Sequence, residues 1–109
     1  MLFRSLELLR LLEEKPHFTQ RELSKEMGVS LGKINYCMKK LIEKGCIKLS
    51  NFRSSNNKAG YLYLLTPKGI EEKAKLTFIF LNFKIREYEL LKREIYLLKQ
   101  DVNQLKKLQ

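Results

Sequence analysis

Between Thr19 and Gly45 the chain spells two helices separated by the tripeptide Gly28-Val29-Ser30, and this punctuation limits its fold more than any other feature. Thr19-Gln20-Arg21-Glu22 is a capping box. The Thr19 hydroxyl can take a backbone N–H at the start of a helix while the Glu22 carboxylate reaches back. The helix that follows turns Leu23 and Met27 inward, and Gly28 stops it, because a left-handed residue costs glycine little. Ser30 then suits the N-cap of a second helix, whose apolar positions Ile34, Cys37, Met38, Leu41 and Ile42 form one stripe and which Gly45 ends. Upstream, Leu2, Leu6, Leu9 and Leu12, with Leu8 beside them, repeat at helical spacing up to a stop at Pro16.

Downstream the period changes. Ile47-Lys48-Leu49 reads as a short strand, residues 50–59 as a polar loop, and Tyr61 to Leu65 as a returning strand rich in β-formers. Thr66 is then an N-cap with Pro67 at the first helical position. No proline follows and Gly69 is the last glycine, so this helix can run to the end of the chain. A helix-turn-helix followed directly by a hairpin with a basic loop is a winged helix. The expected fold is therefore mainly α with a small β-hairpin wing. A winged helix-turn-helix occupies residues 1–66 and a long C-terminal helix residues 67–109, the latter a coiled coil from about residue 88.

Charge is unevenly spread along this plan. The net charge of +10 suggests a polyanionic partner. Residues 1–32 are balanced, whereas residues 33–58 set Lys33, Lys39, Lys40, Lys44, Lys48, Arg53 and Lys58 against Glu43 alone. A solvated face normally mixes signs, so this segregation marks a contact surface.

Enzymatic readings are weak by comparison. One His, a single Asp and two Cys leave few groups for acid–base or metal chemistry, and no nucleophile–base pair or phosphate loop is present. No cofactor and no metal are expected. The start of the chain lacks the regions of a signal peptide. The most apolar stretch, Leu76 to Ile85, is about half of the ~20 residues that a membrane helix needs. Cys37 and Cys46 are too few for a disulfide scaffold and are read as structural thiols, which fits a cytoplasmic protein. His17 reads as a packing residue. Phe78, Phe80, Phe83 and Tyr88 are expected in core or dimer packing rather than around an effector, whose existence the sequence leaves open.

From Tyr88 onward the apolar residues fall at alternating spacings of three and four. Tyr88, Ile95 and Val102 take the a positions of a heptad, and Leu91, Leu98 and Leu105 the d positions. β-Branched residues at a with Leu at d favour two parallel strands. The flanks agree: Glu87, Glu94 and Asp101 lie at g, and Lys92, Lys99 and Lys106 lie at e. In a parallel dimer each g faces the partner's following e with opposite sign, whereas an antiparallel pair would set like against like. Leu90, Leu97 and Leu108 lie off this seam.

Three separated segments carry a family resemblance: Pro16 to Leu23, Leu31 to Cys37, and Leu64 to Lys73 with its Leu65-Thr66-Pro67-Lys68-Gly69 core. Together with the element order, they resemble the MarR-type winged-helix regulators, and more narrowly the small exopolysaccharide-associated MarR group. The resemblance covers nearly the whole chain. It implies a bacterial, dimeric, DNA-binding transcription regulator, of a kind encoded near surface-polysaccharide genes. Two departures stand out. The wing Asp-x-Arg pattern of the family falls on Asn57 and Ala59, so Lys58 or Arg53 must supply its charge. The chain also starts almost at the first helix of the DNA-binding domain, which places dimerisation on the C-terminal helix.

The expected function is that of a homodimeric, sequence-specific regulator of transcription, a repressor, on a pseudo-palindromic double-stranded DNA site. The second helix of the motif should enter the major groove with Gly32, Lys33, Asn35, Tyr36, Lys39 and Lys40 outward. Asn35 can pair bidentately with adenine, Tyr36 can meet a thymine methyl or a phosphate, and Lys39 and Lys40 suit phosphate. Gln20, Arg21 and Ser30 sit where helix starts commonly meet the backbone, and Arg53 and Lys58 would reach the minor groove or the backbone from the wing. The alternative is a winged-helix adaptor whose coiled coil recruits a protein partner. An RNA- or single-strand-binding module is disfavoured, because the aromatics are not interleaved with the basic cluster.

Overall fold

The computed structural model describes residues 2–53 and 59–108, with side chains described for 3–50 and 61–108. Its elements run α1 (Leu2–Glu14), α2 (Gln20–Met27), α3 (Leu31–Glu43), β1 (Ile47–Arg53), β2 (Ala59–Leu65) and α4 (Pro67–Lys107). The fold is the mainly helical winged helix-turn-helix read from the sequence, with a two-stranded antiparallel hairpin and a 41-residue last helix. Two compact units divide it, one ending at Thr77 and the other starting at Phe78.

In the first unit the local signals act as written. Thr19 accepts the Glu22 N–H, and Glu22 accepts the Thr19 N–H, closing the capping box on α2. Gly28 ends that helix at φ 66°, in the left-handed region that side chains avoid. The core is a layer of leucines from α1 (Leu6, Leu8, Leu9, Leu12) meeting Leu23 of α2 and Ile34, Met38 and Leu41 of α3. Cys46, Ile47 and Leu76 close it from below. No polar or charged residue is buried among the described residues, so the core is held by apolar burial alone. Ile42, expected on the inner stripe, is instead 43% exposed. The stripe centres on Ile34, Met38 and Leu41, and one further residue turns the side chain about 100° away from it.

The hairpin is longer than its side chains suggest. Residues 50–53 and 59, expected in the loop, belong to strands, with Ile47 opposite Leu65 and Arg53 opposite Ala59. An antiparallel ladder pairs backbone groups whatever the side chains, and only its base needs an apolar face. That base is tied on two sides. The Tyr63 N–H donates to Pro16 O at 3.0 Å, and the Thr66 N–H donates to Cys46 O at 3.0 Å. The Thr66 hydroxyl also donates to Gly45 O while accepting the Gly69 N–H, which caps α4 as expected. Gly69 is buried against the Cys46 backbone in that cap. An ion pair between Lys73 and Glu13, 2.9 Å apart, joins the first turns of α4 to α1.

The second unit is the rest of α4. From Phe78 onward every described residue except half-buried Phe80 is exposed, including Phe78, Phe83 and Tyr88, which are therefore not core residues of this chain. All six a and d side chains lie open, from Ile95 at 44% to Leu98 and Leu105 at 62% exposure. Lys84 pairs with Glu87 along the helix, and the Gln100 amide donates to the Tyr96 hydroxyl at 2.8 Å. Among the described residues no helix is long and apolar enough to cross a membrane.

Candidate nucleic-acid interface

The outward face of α3 is built by the same residues that bury its inner face. With Ile34, Met38 and Leu41 fixed against α1 and α2, a period of 3.6 turns Gly32, Lys33, Asn35, Tyr36, Lys39 and Lys40 into solvent, and all six are exposed. Ser30 caps the helix by accepting the Lys33 N–H at 3.2 Å, so its place at the start of α3 is a structural one first. Gly32 is different. A Cβ built there would meet nothing within 4 Å, so nothing in the chain's own packing requires glycine at that position.

Charge of one sign gathers on and just after this helix, where Lys33, Lys39, Lys40, Lys44 and Lys48 stand against Glu43 alone. Among the described residues the ion pairs are Lys73–Glu13 and Lys84–Glu87, and neither touches α3. Lys33, Lys39, Lys40, Lys44 and Lys48 thus carry positive charge that no carboxylate of the described chain neutralises. Lys40 Nζ lies 5.6 Å from the Tyr36 ring centroid, a cation–π contact that holds a cation and a flat amphipathic ring side by side. Such a face supplies phosphate neutralisation from lysines and hydrogen-bonding or apolar edges from Asn35 and Tyr36.

Gln20 and Arg21 open α2 beside this face, with Arg21 exposed and Gln20 half-buried. Asn35 Nδ2 donates to Gln20 Oε1 at 3.2 Å, and Gln20 Nε2 donates to the Tyr63 hydroxyl at 3.4 Å. Tyr63 is the residue that sequence reasoning missed here. Strand alternation puts it on one face of β2 with Tyr61, but which face meets α2 is decided by the pairing of β2 with Pro16 O. Tyr61 and Leu49 share that face and are exposed, at 60% and 50%. On the wing, the Arg53 side chain and Lys58 lie outside the described residues.

Glu22 is held below its ordinary value of 4.5, first by the Thr19 backbone N–H, then by the Thr19 hydroxyl. Its role is the cap. Cys46 is a buried free thiol and Cys37 a half-buried one. Among the described residues no three His, Cys, Asp or Glu side chains gather to hold a metal.

Two of the solved structures that match the chain are described as a regulator and a possible regulator of transcription. The PcaV transcriptional regulator of Streptomyces coelicolor, determined with its natural ligand, superposes with a TM-score of 0.49 at 19% identity, covering 83% of this chain and 71% of that one. A possible transcriptional regulator from Methanosarcina mazei gives a TM-score of 0.46 at 18% identity, covering 79% of this chain and 75% of that one. Among curated proteins none matches the sequence. The family-level match is to the sequence model of the winged helix-turn-helix DNA-binding domain, which residues 4–48 fit, from α1 through α3 to the first residues of β1.

Proposed function

We propose that this chain is a sequence-specific regulator of transcription that binds double-stranded DNA as a homodimer. The observation that carries the reading is the face of α3, where Lys33, Asn35, Tyr36, Lys39 and Lys40 are exposed together and carry no carboxylate partner among the described residues. Helix α3 lies in the major groove, with Asn35 reading a base edge, Tyr36 a thymine methyl or a phosphate, and Gly32 letting the backbone come close. Lys33, Lys39 and Lys40 neutralise phosphates, Gln20, Arg21 and Ser30 meet the backbone from the helix starts, and Arg53 and Lys58 reach the backbone or the minor groove from the wing. The reading takes the protein as a repressor, which would act by occupying DNA that the transcription machinery needs.

The second half of the reading concerns α4. Tyr88, Leu91, Ile95, Leu98, Val102 and Leu105 form an exposed seam that a second copy of α4 covers in parallel register, Glu87 facing Lys92, Glu94 facing Lys99 and Asp101 facing Lys106 across it. The site is then a pseudo-palindrome whose half-sites follow the two-fold axis of the dimer. Residues 1–66 serve as the DNA-binding domain and 67–109 as the dimerisation helix of a cytoplasmic, bacterial protein of the small exopolysaccharide-associated MarR kind.

Selection of bound duplexes from a random pool tests the whole reading. Enrichment of an inverted repeat, with half-sites separated by about one helical turn or a multiple of it, is the expected result. A pool that shows no enrichment, or binding that ignores salt concentration, contradicts it. Stable capture of a protein partner by α4 without DNA affinity would favour the adaptor alternative.

A further inference from the structure

The amide of Asn35 is not free to rotate. Its nitrogen donates to Gln20 Oε1 at 3.2 Å, and the Gln20 amide nitrogen in turn donates to the Tyr63 hydroxyl at 3.4 Å. The three residues come from α2, α3 and β2, so the chain of hydrogen bonds runs from the wing strand through the first residue of α2 to the middle of the outward face. The Tyr63 main chain is itself held, because its N–H is bound to Pro16 O.

Counting donors shows what this leaves. A side-chain amide has two N–H groups and one carbonyl oxygen. One Asn35 N–H is taken by Gln20, which leaves a single N–H beside Oδ1. That pair is a donor next to an acceptor, the complement of adenine N7 and N6–H in the major groove. An unrestrained asparagine could swap its oxygen and nitrogen and present the reverse order. In the structure Gln20 turns Nε2 to the Tyr63 hydroxyl and Oε1 to Asn35, and that oxygen can accept only from the Asn35 nitrogen.

We propose that Gln20 is a positioning residue for sequence recognition: it sets the orientation of the Asn35 amide, and Tyr63 anchors the Gln20 side chain. This role rests on the DNA-binding reading above and departs from it in one respect, since it assigns Gln20 to Asn35 rather than to a phosphate. Specificity at one base pair then depends on a tyrosine of the wing strand that itself meets no base.

The test compares affinities for the selected site and for its three single-base-pair replacements at the position read by Asn35. Gln20→Ala should lose roughly five- to fiftyfold of the preference for adenine, the range expected when a bidentate pair loses its fixed geometry. Its thermal unfolding should stay as in the wild type. Gln20→Glu should keep the preference, because a carboxylate oxygen still accepts from Asn35 and the Tyr63 hydroxyl can turn to donate. Its added negative charge should weaken all sequences alike. In the free protein the Asn35 side-chain NH2 resonances should move in both Gln20→Ala and Tyr63→Phe.

A Gln20→Ala variant that weakens every sequence equally and flattens the salt dependence would overturn the proposal and make Gln20 a phosphate contact. Asn35 resonances unmoved in both variants would overturn it as well. Wild-type protein that selects no duplex sequence would overturn the DNA-binding reading, and this role with it.

Discussion

Gly69→Ala should destabilise the protein, although the same change inside a helix ordinarily stabilises by about 0.5–1 kcal/mol. The reason is a single close approach. A Cβ at this position would lie 2.0 Å from the Cys46 carbonyl oxygen and 3.0 Å from the Cys46 carbonyl carbon, so one of the two backbones must retreat by more than about 1 Å to restore van der Waals contact. Neither can do so freely. Cys46 O accepts the Thr66 N–H at 3.0 Å, the Cys46 N–H donates to Leu41 O at 2.9 Å, and the Gly69 N–H donates to Thr66 Oγ1 at 3.1 Å. Retreat therefore strains the cap of α4, worth about 0.5–2 kcal/mol, and at least one further backbone hydrogen bond of about 1 kcal/mol. Buried Cys46 and Leu76 would shift with it, at a cost of about 1–3 kcal/mol in an overpacked core. After subtracting the propensity gain, the net loss is about 1.5–5.5 kcal/mol, at roughly 4–8 °C in Tm per kcal/mol for a domain of this size. Urea and thermal unfolding followed by circular dichroism at fixed protein concentration measure it. Gly32→Ala is the control, because a Cβ there meets nothing within 4 Å and should add about 0.5–1 kcal/mol. A Gly69→Ala protein as stable as the wild type would refute the reasoning, since the close approach could then not be real.

Further outcomes follow from the other contacts. Asn35→Ala should reduce discrimination at one base pair of each half-site by about 1–3 kcal/mol, whereas Lys39→Ala should weaken all duplexes alike and lower the salt slope by about one, both read in competition binding across a salt series. Leu98→Asp should shift the equilibrium from dimer to monomer in sedimentation experiments and leave the first unit's near-ultraviolet spectrum unchanged. Replacing Lys92, Lys99 and Lys106 by Glu should have the same effect, and a partner carrying Lys at 87, 94 and 101 should restore pairing. Because Glu22 is held below 4.5 by the Thr19 N–H and hydroxyl, its contribution is present above pH 4.5 and lost as pH falls through its folded value. Unfolding midpoints measured from pH 6 down to pH 3 should therefore fall less steeply in Glu22→Gln than in the wild type.

Legibility in the sequence followed the range of the interactions. The bounds of α2 and α3 could be read because Thr19, Glu22, Gly28 and Ser30 act on backbone groups within three or four residues of themselves. The outward face of α3 was legible for the same reason, as Lys33, Asn35, Tyr36, Lys39 and Lys40 follow from the period once Ile34 and Met38 are inside. The strand ends were not, because Ser50 to Arg53 carry no apolar alternation and owe their extended form to backbone partners in β2. Ile42 shows the limit of an apolar stripe, which states hydrophobicity but not the width of the neighbour that covers it. The link from Tyr63 to Gln20 spans 43 residues and depends on how the wing docks, so no local pattern announces it. Gly69 likewise reads as a poor helix residue until Cys46 O is placed against it.

The row of uncovered side chains from Tyr88 to Leu105 has a consequence for dose. On the dimeric reading proposed above, α4 pairs by mass action, so a chain diluted below its dimer dissociation constant would be mostly monomer and occupancy of a two-fold site would rise with the square of chain concentration. Doubling expression in that regime multiplies occupancy about fourfold, and halving it empties the site as steeply. Threshold behaviour would then need no small-molecule signal: the amount of the protein would itself be the variable that the promoter reads.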